Sequence, residues 1–241
     1  MKAVLAAALL SVSAALAVDP TEEAFVPPRP EKPLRFCTAT EAWLKFAEGS
    51  PDYEEITELE GLKLDLRYAT FDNASGHDLY CGKQRAFLHK DAAKKLKKAI
   101  GLLGEEMPGA KFLIFDAARP LYAQEALRAS VRGTPYSHYV SSPGTGSVHN
   151  FGMAVDLGIE TAAGEMLDMG TDFDSFESAA GRSGEAAALK SGRLTKEQIS
   201  NRESLRKIMK AAGFIELPSE WWHFNALPSK QVRELYQKAP M

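Results

Sequence analysis

Residues 147–159 have the sequence SVHNFGMAVDLGI, and this stretch sets the centre of the predicted fold. Its second half, residues 153–159, has the length and apolar composition of a buried strand. Asp156 lies inside that strand, where an ionised carboxylate is costly unless it is paired or bound to a metal. Gly152 tolerates positive φ, so a bend there would fold the loop back and bring His149 towards Asp156. The stretch therefore predicts a buried polar site beside a central strand.

A second polar segment, SEWWH at residues 219–223, carries Glu220 and His223 among aromatic residues. Side chains three apart on a regular strand face opposite sides of the sheet. We therefore expect a bulge or turn near Pro218 if Glu220 and His223 are to act together. A hydrolytic zinc site needs about three protein ligands and an open position. The sequence contains no HExxH motif, so the common helix-borne protease site is excluded. From these residues alone, packed and hydrogen-bonded histidines and metal ligands both remain open.

The remaining patterns mix strands and helices. Residues 62–68 alternate apolar and polar side chains, which predicts a half-buried strand, and residues 111–115 form a short apolar run that predicts a buried one. Apolar side chains recur at helical spacing over residues 89–106 and 204–212, while 214–217 and 221–224 resemble strand pieces. Pro120 suits the first turn of a helix over about 121–130. No strict βαβ alternation appears. We predict a single α+β domain with a mostly antiparallel central sheet, flanked by helices, and the site at the sheet.

Composition limits the kind of partner. The chain has 241 residues, of which 45% are hydrophobic and 25% charged, with a formal net charge of -3. Removing Lys2 with a signal peptide leaves 28 basic and 32 acidic residues, or -4. Nucleic-acid binding requires a basic face, so we predict no nucleic-acid partner.

The N-terminus has the pattern of a secretory signal. Met1-Lys2 is followed by a short apolar run, and Ala15-Leu16-Ala17 resembles a signal-peptidase site. The run is shorter than the roughly 20 residues that span a bilayer, so we expect no membrane span in the mature form. We predict a signal peptide at residues 1–17, a proline-rich leader at 18–34 and the folded domain at 35–241. The mature protein is then secreted or periplasmic.

Two cysteines, Cys37 and Cys81, are the only ones in the sequence. No CxxC motif or neighbouring histidine makes them a metal pair. In an oxidising compartment they could form one disulfide, which we favour over two free thiols, although the sequence does not show that the two residues come close enough.

The motif Ser147-x-His149-x6-Asp156, followed by Glu220-Trp221-Trp222-His223, resembles the D-alanyl-D-alanine dipeptidase family. That family belongs to a wider group of zinc peptidases and hedgehog-like domains with HxxxxxxD and ExxH elements. Further blocks that look like the family, in the expected order, occupy residues 64–73, 116–120, 168–174, 201–202 and 213–214. The family would place an aromatic residue where this sequence has Ala74.

The resemblance implies a role for each matching residue. One Zn²⁺ per chain would be held by His149, Asp156 and His223. Glu220 would act as the general base, and Arg119 would hold the carbonyl oxygen as negative charge develops. Ser147 and Asp116 would bind the ammonium end of the substrate, with orientation of Arg119 as the alternative role for Asp116.

Three functions are compatible with the sequence and with the resemblance. The first is hydrolysis of D-alanyl-D-alanine or a similar small D,D-dipeptide. The second is cleavage of a longer cell-wall peptide by a D,D-carboxypeptidase or L,D-peptidase, which needs an open groove. The third is a non-catalytic binding module that keeps the zinc site. Glu220 and Arg119 argue against this third function, because a binding module needs neither a base nor an oxyanion donor.

Overall fold

The computed structural model describes residues 35–239. The predicted signal peptide at 1–17 and leader at 18–34 lie outside the described residues. The described part contains a five-stranded sheet, a separate two-stranded ribbon and helices packed around them. The predicted α+β class is confirmed.

The five-stranded sheet has the order β2-β4-β5-β7-β6. Its strands are β2 (Leu62–Leu64), β4 (Lys111–Asp116), β5 (Ala154–Glu160), β7 (Glu220–Asn225) and β6 (Ile215–Leu217). Only the β2–β4 pair is parallel, and the other three pairs are antiparallel, as predicted. The ribbon pairs β1 (Tyr53–Glu55) with β3 (Phe87–His89) in antiparallel fashion.

The helices of the described part are α1 (Cys37–Gly49), α2 (Lys90–Glu106), α3 (Leu121–Ser130), α4 (Arg182–Ser191), α5 (Lys196–Ala212) and α6 (Ser229–Leu235). Helix α5 starts eight residues before the predicted segment 204–212, because Thr195 and Gln198 form a capping box at its N-terminus. It ends as predicted at Gly213, which has φ of 94°.

The central strands form the core on which the site is built. Every residue of β5 is buried, and Phe112 and Ile114 of β4 are fully inaccessible to solvent. Burial of each such apolar side chain contributes roughly 1.5–3 kcal/mol. Asp156 therefore lies on a strand that is buried along its whole length.

One predicted strand is shorter than expected. Residues 62–68 were expected to form one half-buried strand, but β2 ends at Leu64 and residues 67–69 form a 3₁₀ helix. The chain leaves the sheet at Leu66, whose N–H donates to the side chain of Gln84 instead of to β4. This exit carries Tyr68 over the sheet edge, where its ring is buried.

The two cysteines form a disulfide in the structure. It joins the start of α1 at Cys37 to Cys81 in the segment before β3, which fixes the N-terminal helix to the domain. The sequence left open whether these thiols pair, and the structure decides in favour of the bridge. Between residues 35 and 239, no helix combines the length and the apolar character needed to cross a membrane.

Candidate functional site

His149 is carried by a short 3₁₀ helix, Val148–Phe151, which precedes β5. Ser147 caps this helix, and the N–H of Ser147 donates in return to Asn150 Oδ1 at 2.8 Å. The helix ends at Gly152, which has φ of 65°. A Cβ on Gly152 would lie 2.7 Å from the backbone nitrogen of His89. The predicted bend is therefore present, and only glycine fits it for reasons of both conformation and space.

His223 lies in β7 directly opposite Asp156 in β5. The β6–β7 pairing shifts register between Glu216 and Leu217, so β7 is irregular on that side. Glu220 Oε2 lies 3.9 Å from His223 Nδ1. The sequence predicts a bulge or turn near Pro218 if Glu220 and His223 are to act together. The register shift in the β6–β7 pairing is such an irregularity, and the two side chains lie close to each other.

Three potential ligand atoms meet at this point. His149 Nε2 lies 3.2 Å from Asp156 Oδ1 and 3.0 Å from His223 Nδ1, while His223 Nδ1 lies 3.0 Å from Asp156 Oδ1. The three residues are 1%, 2% and 6% exposed in the order His149, Asp156, His223. Burial alone raises the pKa of Asp156, but the two imidazoles hold it below its usual range. This carboxyl is ionised at any physiological pH.

The far nitrogen of each imidazole is held by an acceptor. His149 Nδ1 lies 2.7 Å from the carbonyl oxygen of Ala117, which only accepts hydrogen bonds, so Nδ1 carries the proton. His223 Nε2 lies 2.9 Å from Asn225 Oδ1 and donates to it in the same way. In the neutral state that metal ligation requires, both rings direct a lone pair towards Asp156. Outer hydrogen bonds of this kind orient imidazole ligands of metals.

These atoms fit a divalent metal such as zinc. Two lone pairs and a carboxylate oxygen within 3.2 Å repel one another unless a cation lies between them. Tetrahedral zinc with bonds of about 2.0–2.1 Å places its ligands about 3.3 Å apart, close to the separations seen here. Of the described residues, His149, Asp156 and His223 form such a ligand group.

Glu220 lies beside this group in the lining of the cavity. Burial raises the pKa of its carboxyl to about 7, with the charge of His223 acting in the opposite direction. A carboxyl that titrates near neutral pH is suited to accept a proton and to return it. The position of Glu220 therefore fits the predicted general base.

Arg119 is held rigidly at the edge of the same site. Its Nε donates to Asp116 Oδ2 at 2.8 Å, and its Nη1 donates to Gln124 Oε1 at 3.0 Å. Its Nη2 lies 3.6 Å from Asp156 Oδ2, so the guanidinium extends to the metal-ligand group. Asp116 is completely buried and also accepts a hydrogen bond from Tyr80 at 2.7 Å. Its contacts match the alternative role predicted for it, orientation of Arg119.

A small cavity of about 130 Å³ opens onto these residues. Six of the seven predicted site residues line it: Arg119, Ser147, His149, Asp156, Glu220 and His223. Asp116 lies behind Arg119, outside the lining. Tyr68 and Trp222 form apolar parts of the wall.

Asp174 is a cavity residue that the sequence analysis did not single out. Its carboxylate accepts hydrogen bonds from Tyr68 Oη at 3.0 Å and from the N–H of Ala74 at 3.2 Å. Its φ of 61° is rare for a residue other than glycine, and such backbone strain concentrates at functional sites. Asp174 belongs to the block at residues 168–174 that resembles the family. That block contains three aspartates, and the sequence does not show which of them lies in the site. The departure from the family at Ala74 leaves this contact intact, because the backbone makes it.

We expect Asp174→Asn to change how stability depends on pH. Burial raises the pKa of Asp174 to about 7 in the folded protein, whereas an unfolded aspartate titrates near 3.9. The carboxyl therefore favours folding below about pH 4, and this contribution is lost as the pH rises through 7. Between pH 4 and pH 8 the wild type should lose about 1–2 kcal/mol more stability than the variant.

Denaturant unfolding of metal-free protein at the two pH values measures this difference. The matched control is Asp172→Asn, an exposed aspartate in the same segment. Equal changes in unfolding free energy for wild type and Asp174→Asn would contradict the prediction. Asparagine is the appropriate replacement because it tolerates positive φ.

Comparisons with known proteins agree with the resemblance noted in the sequence. The family model Peptidase_M15, described as D-ala-D-ala dipeptidase, matches residues 47–240. A D-alanyl-D-alanine dipeptidase of Escherichia coli (strain K12) is 35% identical over 164 residues, which are 68% of this chain and 78% of that protein. A D-alanyl-D-alanine dipeptidase of Enterococcus faecium is 28% identical over 183 residues, covering 69% and 86% of the two chains. One from Synechocystis is 28% identical over 176 residues, covering 61% and 71%.

Proposed function

The chain belongs to the Peptidase_M15 family of D-ala-D-ala dipeptidases, and we propose that it is a zinc-dependent enzyme that hydrolyses D-alanyl-D-alanine outside the cytoplasm. The observation that carries the proposal is the convergence of His149 Nε2, Asp156 Oδ1 and His223 Nδ1 beside the carboxyl of Glu220. A peptidase requires a site that activates water next to a proton acceptor, and these four side chains supply both.

The chemistry of the site follows from its residues. Bound zinc supplies a Lewis acid that makes water acidic near neutral pH and polarises a peptide carbonyl. His149 and His223 remain neutral while they act as ligands, because their far nitrogens carry the protons. Glu220 accepts a proton from the attacking water and passes it to the leaving amine. The site therefore performs hydrolysis without a covalent enzyme intermediate.

Arg119 faces the negative charge that develops on the carbonyl oxygen. Its charge is permanent, and two hydrogen bonds to Asp116 and Gln124 fix its direction before substrate binds. Such a preorganised donor stabilises the transition state more than the substrate. This geometry supports the oxyanion role that the resemblance implied.

Arg119→Lys is expected to lower kcat by about 100-fold with a smaller effect on KM, since removal of one oxyanion donor costs about 2.7–4 kcal/mol. Lysine keeps the positive charge near Asp116 but lacks the fork that holds the guanidinium in place. Steady-state kinetics on D-alanyl-D-alanine test this, with Arg132→Lys, a change at an exposed arginine outside the cavity lining, as control. A change in KM alone would assign Arg119 to ground-state binding.

The substrate's ammonium group is best matched by Asp174. The carboxylate of Asp174 lines the cavity and is held by Tyr68 and Ala74, whereas Asp116 is enclosed behind Arg119. Ser147 also lines the cavity, so its predicted role in substrate binding is retained in the proposal. We therefore replace Asp116 by Asp174 at the ammonium end.

The aromatic contacts beside the cavity favour a dipeptide over a longer wall peptide. Phe176 and the loop at residues 133–147 meet beside the cavity, where the Phe176 ring stacks on Tyr136 at 5.0 Å and contacts Tyr139 at 5.6 Å. Phe176 and Tyr139 also line the cavity. Carboxypeptidase action on a wall peptide needs an open groove in place of this aromatic contact.

Export is the part of the proposal that rests on the N-terminal pattern. The disulfide between Cys37 and Cys81 supports it, because such bridges persist mainly in oxidising compartments. N-terminal sequencing of protein recovered from the periplasm or medium tests it, and a mature chain that starts near Val18 is expected. Retention of the full chain in the cytoplasm would exclude export.

The deciding experiment is release of free D-alanine from D-alanyl-D-alanine by purified mature protein. L-alanyl-L-alanine tests stereochemistry, and a D-alanine-terminated wall pentapeptide tests the carboxypeptidase alternative. We expect kcat/KM for D-alanyl-D-alanine to exceed the values for L-alanyl-L-alanine and for the pentapeptide. Turnover of the pentapeptide alone would replace the dipeptidase by the carboxypeptidase, and zinc binding without turnover of any peptide would indicate a binding module.

A further inference from the structure

The cavity lining contains two permanent cations within the described part of the chain, Arg119 and Arg233. Arg119 is ion-paired with Asp116 and approaches Asp156. The contacts of Arg233 are different. Its Nη1 donates to the carbonyl of Ser229 and its Nη2 to the carbonyl of Gly146, each at 3.2 Å. Both partners are neutral, and between residues 35 and 239 no carboxylate lies within ion-pair distance of Arg233.

The C-terminal segment places Arg233 at the rim of the site. Arg233 lies on α6, which packs against the 3₁₀ helix that carries His149. Beyond α6, the N–H of Ala239 donates to the carbonyl of Asn150 at 2.8 Å. Lys238 Nζ donates to the carbonyl of Gly144 at 2.8 Å. The segment therefore holds the loop that ends at Ser147 and, through the Gly146 contact, holds the guanidinium beside it.

A zwitterionic dipeptide needs a cation as well as an anion in its binding site. The anion is accounted for by Asp174, which is held by Tyr68 and Ala74 from a different part of the chain. Arg119 is already paired with the buried carboxylates of Asp116 and Asp156, and its proposed role is to bind the carbonyl oxygen of the cleaved peptide bond. A guanidinium binds carboxylates through paired N–H donors, and a charge without an acidic partner favours an anionic ligand.

We propose that Arg233 binds the C-terminal carboxylate of the dipeptide substrate and thereby selects peptides with a free carboxylate next to the cleaved bond. This inference rests on the proposed dipeptidase function and names a specificity residue for it. Arg233 is a substrate-binding residue in this account, separate from the hydrolytic group of Glu220 and the metal ligands. Its contribution is made equally to substrate and transition state, so it acts on KM rather than kcat.

The test compares D-alanyl-D-alanine with D-alanyl-D-alaninamide, which lacks the carboxylate charge. Arg233→Gln should raise KM for the acid by about tenfold or more, the size expected for a lost hydrogen bond to a charged group. It should leave kcat for the acid and kcat/KM for the amide close to wild type. Arg233→Lys should recover part of the loss in KM. Lys230→Gln is the matched control, because Lys230 lies on the same helix with an 87% exposed side chain and outside the cavity lining.

The outcomes separate the inference from the function it rests on. An equal loss of kcat/KM by Arg233→Gln on D-alanyl-D-alanine and on D-alanyl-D-alaninamide would show that Arg233 supports the Gly146 loop instead of binding substrate. That result would overturn the inference. An unchanged KM for the acid would overturn it as well, with the dipeptidase function intact. An inactive, zinc-loaded wild type would overturn the dipeptidase function itself. Thermal unfolding of each variant identifies any loss caused by misfolding.

Discussion

Glu220→Gln is expected to lower kcat for D-alanyl-D-alanine by about 10²–10⁴-fold, the range that general acid–base catalysis supplies. Glutamine keeps the size and position of the side chain but cannot take a proton from water. Glu220 lies 3.9 Å from His223 Nδ1 and is not one of the three grouped metal-ligand residues, so zinc content should stay at one ion per chain. KM should change little, because the substrate contacts proposed above involve other residues.

The measurement is steady-state kinetics together with elemental analysis of each preparation. Glu165→Gln, a change at an exposed glutamate outside the cavity lining, controls for the substitution itself. Unchanged hydrolysis by Glu220→Gln at full zinc occupancy would remove Glu220 from the catalytic role. Loss of zinc together with activity would assign Glu220 to the metal site instead.

Removal of the metal is expected to abolish hydrolysis, and stoichiometric zinc should restore it. The ligand atoms of His149, Asp156 and His223 all lie within 4.8 Å of one another, so one ion per chain is the expected stoichiometry. His223→Ala should lose zinc binding as well as activity, because one of the three protein ligands disappears.

Equilibrium dialysis against zinc gives a measure that does not depend on turnover. His138→Ala is a suitable control, since His138 is exposed and lies in the loop that precedes His149. Full activity of protein that contains no measurable metal would contradict the prediction. Binding of more than one ion per chain with equal affinity would show that the His149–Asp156–His223 group is not the sole metal site.

Several features were predictable from the sequence because they depend on local chemistry. Helix α3 spans 121–130 as predicted, since the preference of Pro120 for the start of a helix is a local property of the chain. The strand around Asp156 and the bend at Gly152 follow equally from local apolar composition and from the conformational freedom of glycine. The identities of the candidate metal ligands came from motif resemblance, and the structure brings those three side chains together.

Other features depend on contacts between distant segments. His149 and His223 are 74 residues apart, and the β5–β7 register determines that they meet. Tyr68 and Asp174 are 106 residues apart, so no local pattern distinguishes Asp174 from the other aspartates of its segment. Strand 62–64 ends early because Leu66 finds a partner in Gln84, 18 residues away.

The sequence by itself determined the α+β class and the strand that carries Asp156, because periodicity and turn residues act within short stretches. The candidate site residues followed from the motif resemblance. The tertiary structure alone decided that Asp116 lies behind Arg119 while Asp174 and Arg233 line the cavity. Burial and charge pairing depend on which segments pack together. A carboxylate or guanidinium therefore acquires its role from neighbours that are remote in sequence.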